Sequence, residues 1–330
     1  LSKKRVLSGM QASGKLHLGN LLGALQNWKE LQNDFECFYF IADWHALSTN
    51  YEDTHEIKSN IFEIAVDWLC VGLDPNKSNL FIQSLVPEHA ELHLLLSMIT
   101  PIPWLERNPT YKEKQEEIKN RDLATYGFLG YPVLQSADII IYKANFVPVG
   151  IDQLPHLELT REIVRRFHHI YGKKVFVEPE AKLSKVSKLP GIDGRKMSKS
   201  YNNAIYLSDP PSEIEKKVAM MLTDPQRARR TDRGDPEVST VYQYHKIFTP
   251  KGQVAEIAKG CRTASIGCTE CKGILAKNLI EFLRPYYEKR EKLCKKPKKV
   301  MEIFEQGSIK VRKEAQKTME QVKEAMKIGL

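Results

Sequence analysis

Apolar residues recur along the first 180 positions in two alternating rhythms. Short unbroken apolar runs stand at Arg5-Val6-Leu7-Ser8, Cys37-Phe38-Tyr39-Phe40-Ile41-Ala42 and Leu80-Phe81-Ile82-Gln83, as in strands buried on both faces. Between them, 21–31 and 57–73 carry apolar residues at helical spacing. This alternation predicts an α/β fold, a Rossmann-like doubly wound parallel sheet with right-handed crossovers. Such sheets take ligands beyond the carboxyl ends of their strands. From Val175 to Asn203 the rhythm lapses into a segment rich in Lys, Ser, Pro and Gly, longer than a plain connection requires. After Pro211 the pattern is almost wholly helical, over 212–222, 241–248, 274–294 and 300–328. A polar insertion at 224–237 carries Arg227, Arg229, Arg230 and Arg233.

With 330 residues, 42% of them hydrophobic, the chain can bury one large core and a smaller one, so more than one domain is expected. No apolar run reaches the roughly 18 residues of a membrane-spanning helix. Leu1-Ser2-Lys3-Lys4 leads straight into the first strand-like run, without the apolar stretch of a secretory leader. Six Cys do not suggest a disulfide scaffold. These features predict a cytoplasmic protein with no membrane partner. The formal charge of +9 is unevenly spread, at +14 over residues 181–330 and −5 over 1–180. A basic second half suits a polyanion partner, although a solvated basic helix surface would give the same count.

Two segments carry chemistry. Ser8-Gly9-Met10-Gln11-Ala12-Ser13-Gly14-Lys15-Leu16-His17-Leu18-Gly19-Asn20 joins the first strand to the first helix. Gly9-x4-Gly14-Lys15 has P-loop spacing, but Leu16 stands where a Mg²⁺-binding hydroxyl is required. His17-Leu18-Gly19-Asn20 is the better phosphate element. A helix start offers unpaired N–H groups, Gly19 clears the approach, and His17 and Asn20 can donate hydrogen bonds. The second segment is Lys196-Met197-Ser198-Lys199-Ser200, preceded by Gly191-Ile192-Asp193-Gly194-Arg195. Two lysines three apart on a Gly- and Ser-flanked loop can close over a polyphosphate and neutralise a departing pyrophosphate.

Together, His-Leu-Gly-Asn and Lys-Met-Ser-Lys-Ser resemble the paired motifs of the class I aminoacyl-tRNA synthetases. The first departs from the usual His-Ile-Gly-His at its second and fourth residues. Tyr131-Pro132-Val133-Leu134-Gln135-Ser136-Ala137-Asp138-Ile139-Ile140-Ile141-Tyr142 resembles the substrate helix of the bacterial tryptophanyl-tRNA synthetases. Val147-Pro148-Val149-Gly150-Ile151-Asp152-Gln153 is similar to a segment of the same enzymes.

The resemblance implies activation of L-tryptophan by ATP and transfer to tRNA(Trp). It implies catalytic roles for His17, Asn20, Lys196 and Lys199. ATP would be held by Gln11, Ser13, Gly19, Asn20, Lys112, Gly150, Asp152, Lys196, Met197, Ser198 and Lys199. Tryptophan would meet Leu7, Gly9, His45, Tyr131, Gln135, Asp138, Val147, Val149 and Gln153, with Asp138 accepting the indole N–H. Many relatives carry Met in place of Gln135, which alters the pocket floor. The implied organisation is a catalytic domain over 1–205, a helical anticodon-binding domain over 206–296, and a terminal helix over 297–330 packing back on the first. A homodimer and ATP-borne Mg²⁺ are also implied. The rivals are a tyrosyl-tRNA synthetase and a non-catalytic protein that binds tRNA or tryptophan.

Cys261-x6-Cys268-x2-Cys271 is the one metal-like spacing. Some bacterial tryptophanyl-tRNA synthetases hold a [4Fe–4S] cluster on this trio plus an earlier Cys. Here that earlier position, 22 intervening residues before Cys261, is Val238. Either His245 or Cys294 substitutes for it, or the trio is a relic holding nothing.

Overall fold

A computed structural model describes residues 3–109, 123–183 and 189–329. The chain folds as two compact units. The first comprises Leu1–Gly14, Asn27–Lys185 and Lys296–Leu330, and the second Lys15–Gln26 and Val186–Lys295. Residues 189–205 therefore fold with the helices that follow them and not with the sheet. The boundary lies ahead of the lysine loop and not at 205.

The first unit is built on five strands, β1 (Arg5–Gln11), β2 (Glu36–Ala42), β3 (Ser78–Ile82), β4 (Phe146–Val149) and β5 (Glu180–Leu183). Their spatial order is β3-β2-β1-β4-β5 and every pair is parallel. Six of the seven β2 residues and all of β3 are buried, which explains their unbroken apolar runs. The order reverses direction between β1 and β4, the position where doubly wound sheets open a crevice at their carboxyl edge. Around the sheet run helices α1 (Gln26–Asp34), α2 (Asp43–Asn50), α3 (Ile57–Val71), α4 (Glu88–Ser97), α5 (Tyr126–Ile141) and α6 (Leu154–Tyr171). Trp28 of α1 stacks on Tyr39 of β2 at 4.7 Å between rings. Helix α3 stops at Gly72, whose φ of +101° is a conformation that favours glycine.

The second unit is helical, with α7 (Pro211–Met220), α8 (Thr240–Phe248), α9 (Lys251–Arg262) and α10 (Cys268–Cys294). Tyr242, Ile257 and Ala258 form a small core with Ile274 against it, and Phe248 meets Phe282 edge-on at 5.0 Å. The periodicity expected over 274–294 begins six residues earlier, because Gly267 supplies the extended N-cap from which α10 starts.

The last helix, α11 (Pro297–Met326), belongs to the first unit, so part of the basic excess after residue 180 lies with the sheet. Phe304 is fully buried against Trp68, and the Ser308 hydroxyl accepts the Ile82 N–H at 3.2 Å. Gly307 is set so close to β3 that a Cβ there would lie 1.9 Å from the Leu80 carbonyl oxygen. That oxygen belongs to a buried strand and cannot rotate aside. Gly307→Ala is expected to cost about 2 kcal/mol by overpacking, read as a lower urea midpoint at unchanged slope. An unchanged midpoint would contradict this packing. Among the described residues, no helix is long and apolar enough to cross a membrane.

Candidate functional site

Asp138 lies inside α5 with no solvent exposure. An isolated carboxylate there would be costly, but three side chains from other elements converge on it. His45, in the first turn of α2 beyond β2, donates from Nε2 to Oδ2 at 2.7 Å. His89 of α4 donates from Nδ1 to Oδ1 at 2.6 Å. Gln83, the first residue beyond β3, donates from Nε2 to both oxygens at 2.8 and 2.9 Å. Burial alone would raise the Asp138 pKa, but the hydrogen bonds from His45 and His89 carry it below the ordinary carboxylate value, so the group stays ionised. Behind His89, the Tyr142 hydroxyl stands 2.7 Å from Nε2.

Both Asp138 oxygens already accept from the protein.

The other residues expected around tryptophan gather at the carboxyl ends of β1 and β4 and along α5. Leu7 and Val147 share one buried cluster with Ala42 and Ala137, and Val149 packs against it. Gly9 lies two residues before the end of β1, where a Cβ would lie 2.5 Å from the Phe40 ring. Tyr131 is buried, with its hydroxyl 3.3 Å from His156 Nε2. His156 Nδ1 accepts from Asn108 Nδ2 at 3.0 Å, so Nε2 carries the proton directed at Tyr131. Gln135 is half-buried, three residues before Asp138 on the same helix. Gln153 donates to exposed Asp152 at 3.2 Å.

Of the residues expected around ATP, Gln11, Ser13, Gly150 and Asp152 belong to the first unit. Ser13 N–H turns back on the Gln11 carbonyl at 2.8 Å, and a Cβ at Gly150 would strike Asp152 Oδ1 at 2.5 Å. Lys112 lies outside the described residues.

The second unit brings the two phosphate motifs together. Residues 16–18 pair antiparallel with 205–207: Leu18 N–H donates to the Ile205 carbonyl at 3.0 Å, and Leu207 N–H to that of Leu16 at 2.9 Å. The chain leaving the lysine loop is thus laced to the chain entering the first helical turn, Leu18–Asn20. His17 and Asn20 form a reciprocal cap. Asn20 N–H donates to His17 Nδ1 at 3.3 Å, and His17 N–H to Asn20 Oδ1 at 3.0 Å. With Nδ1 accepting, the neutral imidazole carries its proton on Nε2, and Asn20 keeps its Nδ2 amide for a ligand. Burial, and then the charge of Lys199, lower the His17 pKa to about 4. The ring is therefore an uncharged donor at neutral pH. Gly19 lies under the loop, where a Cβ would be 3.0 Å from the His17 ring and 3.6 Å from Met197 Sδ.

Met197 is buried between exposed Lys196 and half-buried Lys199, so the apolar residue anchors the loop from which the lysines extend. Asn203 holds its turn. Asn203 Oδ1 accepts Ser198 N–H at 2.8 Å, and Nδ2 donates to Asp193 at 2.8 Å and to the Lys196 carbonyl at 3.1 Å.

The metal expectation at Cys261, Cys268 and Cys271 is not met. Among the described residues, no group of three His, Cys, Asp or Glu is arranged to hold a metal ion. Burial, and then the neighbouring thiols Cys261 and Cys268, push Cys271 up to about 12. His245 Nδ1 meets Thr249 Oγ1 at 2.8 Å, and its Nε2 lies 3.2 Å from the Cys271 carbonyl and 3.4 Å from Cys271 Sγ. Cys294 ends the 27-residue helix that Cys268 begins, about 39 Å away at 1.5 Å per residue.

Gln83, His89 and Asn203 were not found from the sequence. Gln83 and His89 stand just past an apolar strand, as ligand-side residues of such sheets do, but only the fold shows that both reach Asp138.

Residues 2–284 match the model of the tRNA synthetases class I (W and Y). The tryptophan–tRNA ligase of Thermotoga maritima is 52% identical, over 98% of this chain and 99% of its own. The tryptophanyl-tRNA synthetase of Campylobacter jejuni, solved with ADP and tryptophan, superposes with a TM-score of 0.90 at 34% identity, covering 98% of this chain and 100% of that one. A tyrosyl-tRNA synthetase from Archaeoglobus fulgidus reaches 0.65 at 22% identity, over 87% and 90%, a likeness of fold alone.

Proposed function

The chain belongs to the class I tRNA synthetases for tryptophan and tyrosine, and on that premise we propose how its residues activate tryptophan with ATP and charge tRNA(Trp). The observation that carries the reading is the lacing of 16–18 to 205–207, which puts His17 beside Lys199. A neutral donor, a helix start and two ammonium groups make an enclosure for a polyphosphate.

In the first step the tryptophan carboxylate attacks the α-phosphorus of Mg·ATP, and the bond to the bridging oxygen breaks to release pyrophosphate. A carboxylate is already ionised at pH 7, so no general base is needed. Catalysis is positioning plus stabilisation of charge. His17 Nε2–H and Asn20 Nδ2 donate to phosphate oxygens, Lys196 and Lys199 neutralise the leaving pyrophosphate, and Gly19 and Met197 shape the floor. Gln11, Ser13, Gly150 and Asp152 hold the nucleoside end of ATP. Leu7, Val147 and Val149 wall the indole, Gly9 lets it lie against β1, and Gln135 forms the floor. Tyr131 and Gln153 hold the amino group, and the Asp138 network forms the polar end. In the second step the terminal ribose 2′-hydroxyl of tRNA attacks the adenylate carbonyl and AMP leaves.

The helical unit takes the anticodon arm, its basic residues meeting phosphate with salt-dependent affinity. The enzyme works in the cytoplasm as a homodimer. Leu94, Met98 and Ile102, exposed in succession on α4 and just beyond it, supply an apolar face for a second copy.

Tryptophan-dependent exchange of labelled pyrophosphate into ATP tests the activity. Exchange with tryptophan and none with tyrosine is expected. Exchange driven by tyrosine would establish the tyrosyl rival, and none with either amino acid would establish the non-catalytic one.

A further inference from the structure

His17 and Tyr206 stand directly opposite each other in the antiparallel bridge of the second unit. The bonds that flank them, from Leu18 N–H to Ile205 and from Leu207 N–H to Leu16, make theirs a non-hydrogen-bonded pair. In such a pair the two residues' own N–H and C=O groups face outward and their side chains project on one face. Each outward edge is closed by a side chain three residues further on. For His17 that residue is Asn20. For Tyr206 it is Asp209, whose Oδ2 accepts the Tyr206 N–H at 2.8 Å while its own N–H returns to the Tyr206 carbonyl at 3.2 Å. Helix α7 reaches back over this turn. Lys217 Nζ donates to the same Asp209 oxygen at 2.6 Å and lies 4.6 Å from the centre of the Tyr206 ring. Only 11% of the Lys217 side chain and 10% of that of Asp209 are exposed.

We propose that Asp209 and Lys217 are positioning residues for adenylate formation, which hold Tyr206 and, through the bridge, keep His17 against the lysine loop. This rests on the function proposed above. Two backbone bonds between short segments are a marginal pairing, so the strand facing His17 needs support from its other edge. A buried ion pair adds little net stability over an apolar pair of the same size, but it selects one arrangement. Here the arrangement selected is that of the residue opposite His17, because Asp209 Oδ2 serves the Tyr206 N–H and the Lys217 ammonium together. The link between the two charges is stiff. Pro210 and Pro211 follow Asp209, and Pro211 begins α7, so two fixed φ angles join the carboxylate to the helix that carries the ammonium. Over the ring, the ammonium gains a cation–π contact as well.

The test uses the full chain with Asp209→Ala, Lys217→Met and Lys217→Arg. In pyrophosphate exchange, kcat should fall at least about tenfold in the first two, and Lys217→Arg should recover most of the loss. KM for tryptophan should stay within about twofold, since the residues expected around the indole belong to the first unit. Two readouts need no substrate. The Leu18 and Leu207 amides, which donate across the bridge, should exchange hydrogen at least about tenfold faster in Asp209→Ala and Lys217→Met. The His17 imidazole should titrate above its wild-type value of about 4, as it loses burial and the nearness of Lys199. If Asp209→Ala does not fold, Lys217→Met, which leaves the carboxylate to cap Tyr206, carries the same measurements. A merely structural pair would lower the urea midpoint with kcat, both amides and the His17 titration unchanged, and that result overturns the proposal. A lower kcat with native amides and a native His17 titration overturns it too, because the pair would then act by another route. No exchange by the wild-type protein with tryptophan would reject the functional reading instead, while the amides and the imidazole would still decide whether the pair holds His17.

Discussion

Asp138→Ala is expected to lower the unfolding free energy by about 3–5 kcal/mol, the range for removing one partner of a buried charged pair. The variant leaves His45 Nε2, His89 Nδ1 and Gln83 Nε2 without their shared acceptor, in a place where water does not reach. Asp138→Asn retains one acceptor oxygen and should lose less. In whichever variant folds, kcat/KM for tryptophan should fall at least about tenfold, because the orientation of Gln83 and His45 depends on the carboxylate. Urea unfolding and pyrophosphate exchange measure the two effects, and wild-type values for both would remove Asp138 from the site.

The pH dependence has a definite sign. The folded-state pKa of Asp138 lies below its unfolded value. Its contribution to stability is therefore complete above the ordinary carboxylate pKa of about 4 and is lost as pH falls through the folded value. Acid unfolding below about pH 4 should accordingly be steeper in the wild-type protein than in Asp138→Asn.

Much of this architecture was readable in the chain, for local reasons. Strands β2 and β3, and β1 over Val6–Ser8, are buried on both faces, and their apolar runs say so without reference to partners. Strand β5 reads Glu-Ala-Lys-Leu and was invisible. It is an edge strand, and the Lys182 ammonium covers the Phe35 and Phe146 rings at 5.1 and 5.8 Å instead of filling a core. Helix α9 was missed because its apolar side is narrow, with only Ile257, Ala258 and Gly260 buried. At the site, the phosphate motifs were legible because their residue types state their chemistry. His45 was legible as a site residue, but its contact with Asp138, and those of Gln83 and His89, were not, because the three lie 93, 55 and 49 residues from it, and only the crossovers of the sheet bring them together. The cysteine trio is a different case: the fold brings Cys261 and Cys268 near Cys271, but among the described residues no group of three such side chains is arranged to hold a metal ion.

Lys199→Ala is expected to slow adenylate formation about 10²–10³-fold, the range for removing one preorganised group that stabilises developing charge, while KM for tryptophan stays nearly unchanged. The split follows from the chemistry. Charge accumulates on the departing pyrophosphate only as the bond to the α-phosphorus breaks, so the ammonium acts mainly in the transition state. A selective loss of tryptophan binding would be the wrong outcome for a leaving-group residue. The same variant carries an independent reporter. His17 is held down to about 4 first by burial and second by the charge of Lys199. Removing that charge should raise the imidazole pKa part of the way toward 6.5, and no further, since the burial remains. An NMR titration of the His17 ring in the two proteins reads this directly, without substrate. Should the ring titrate identically in both, Lys199 would not lie beside His17 in solution, and the enclosure for the triphosphate would lose the contact on which it depends.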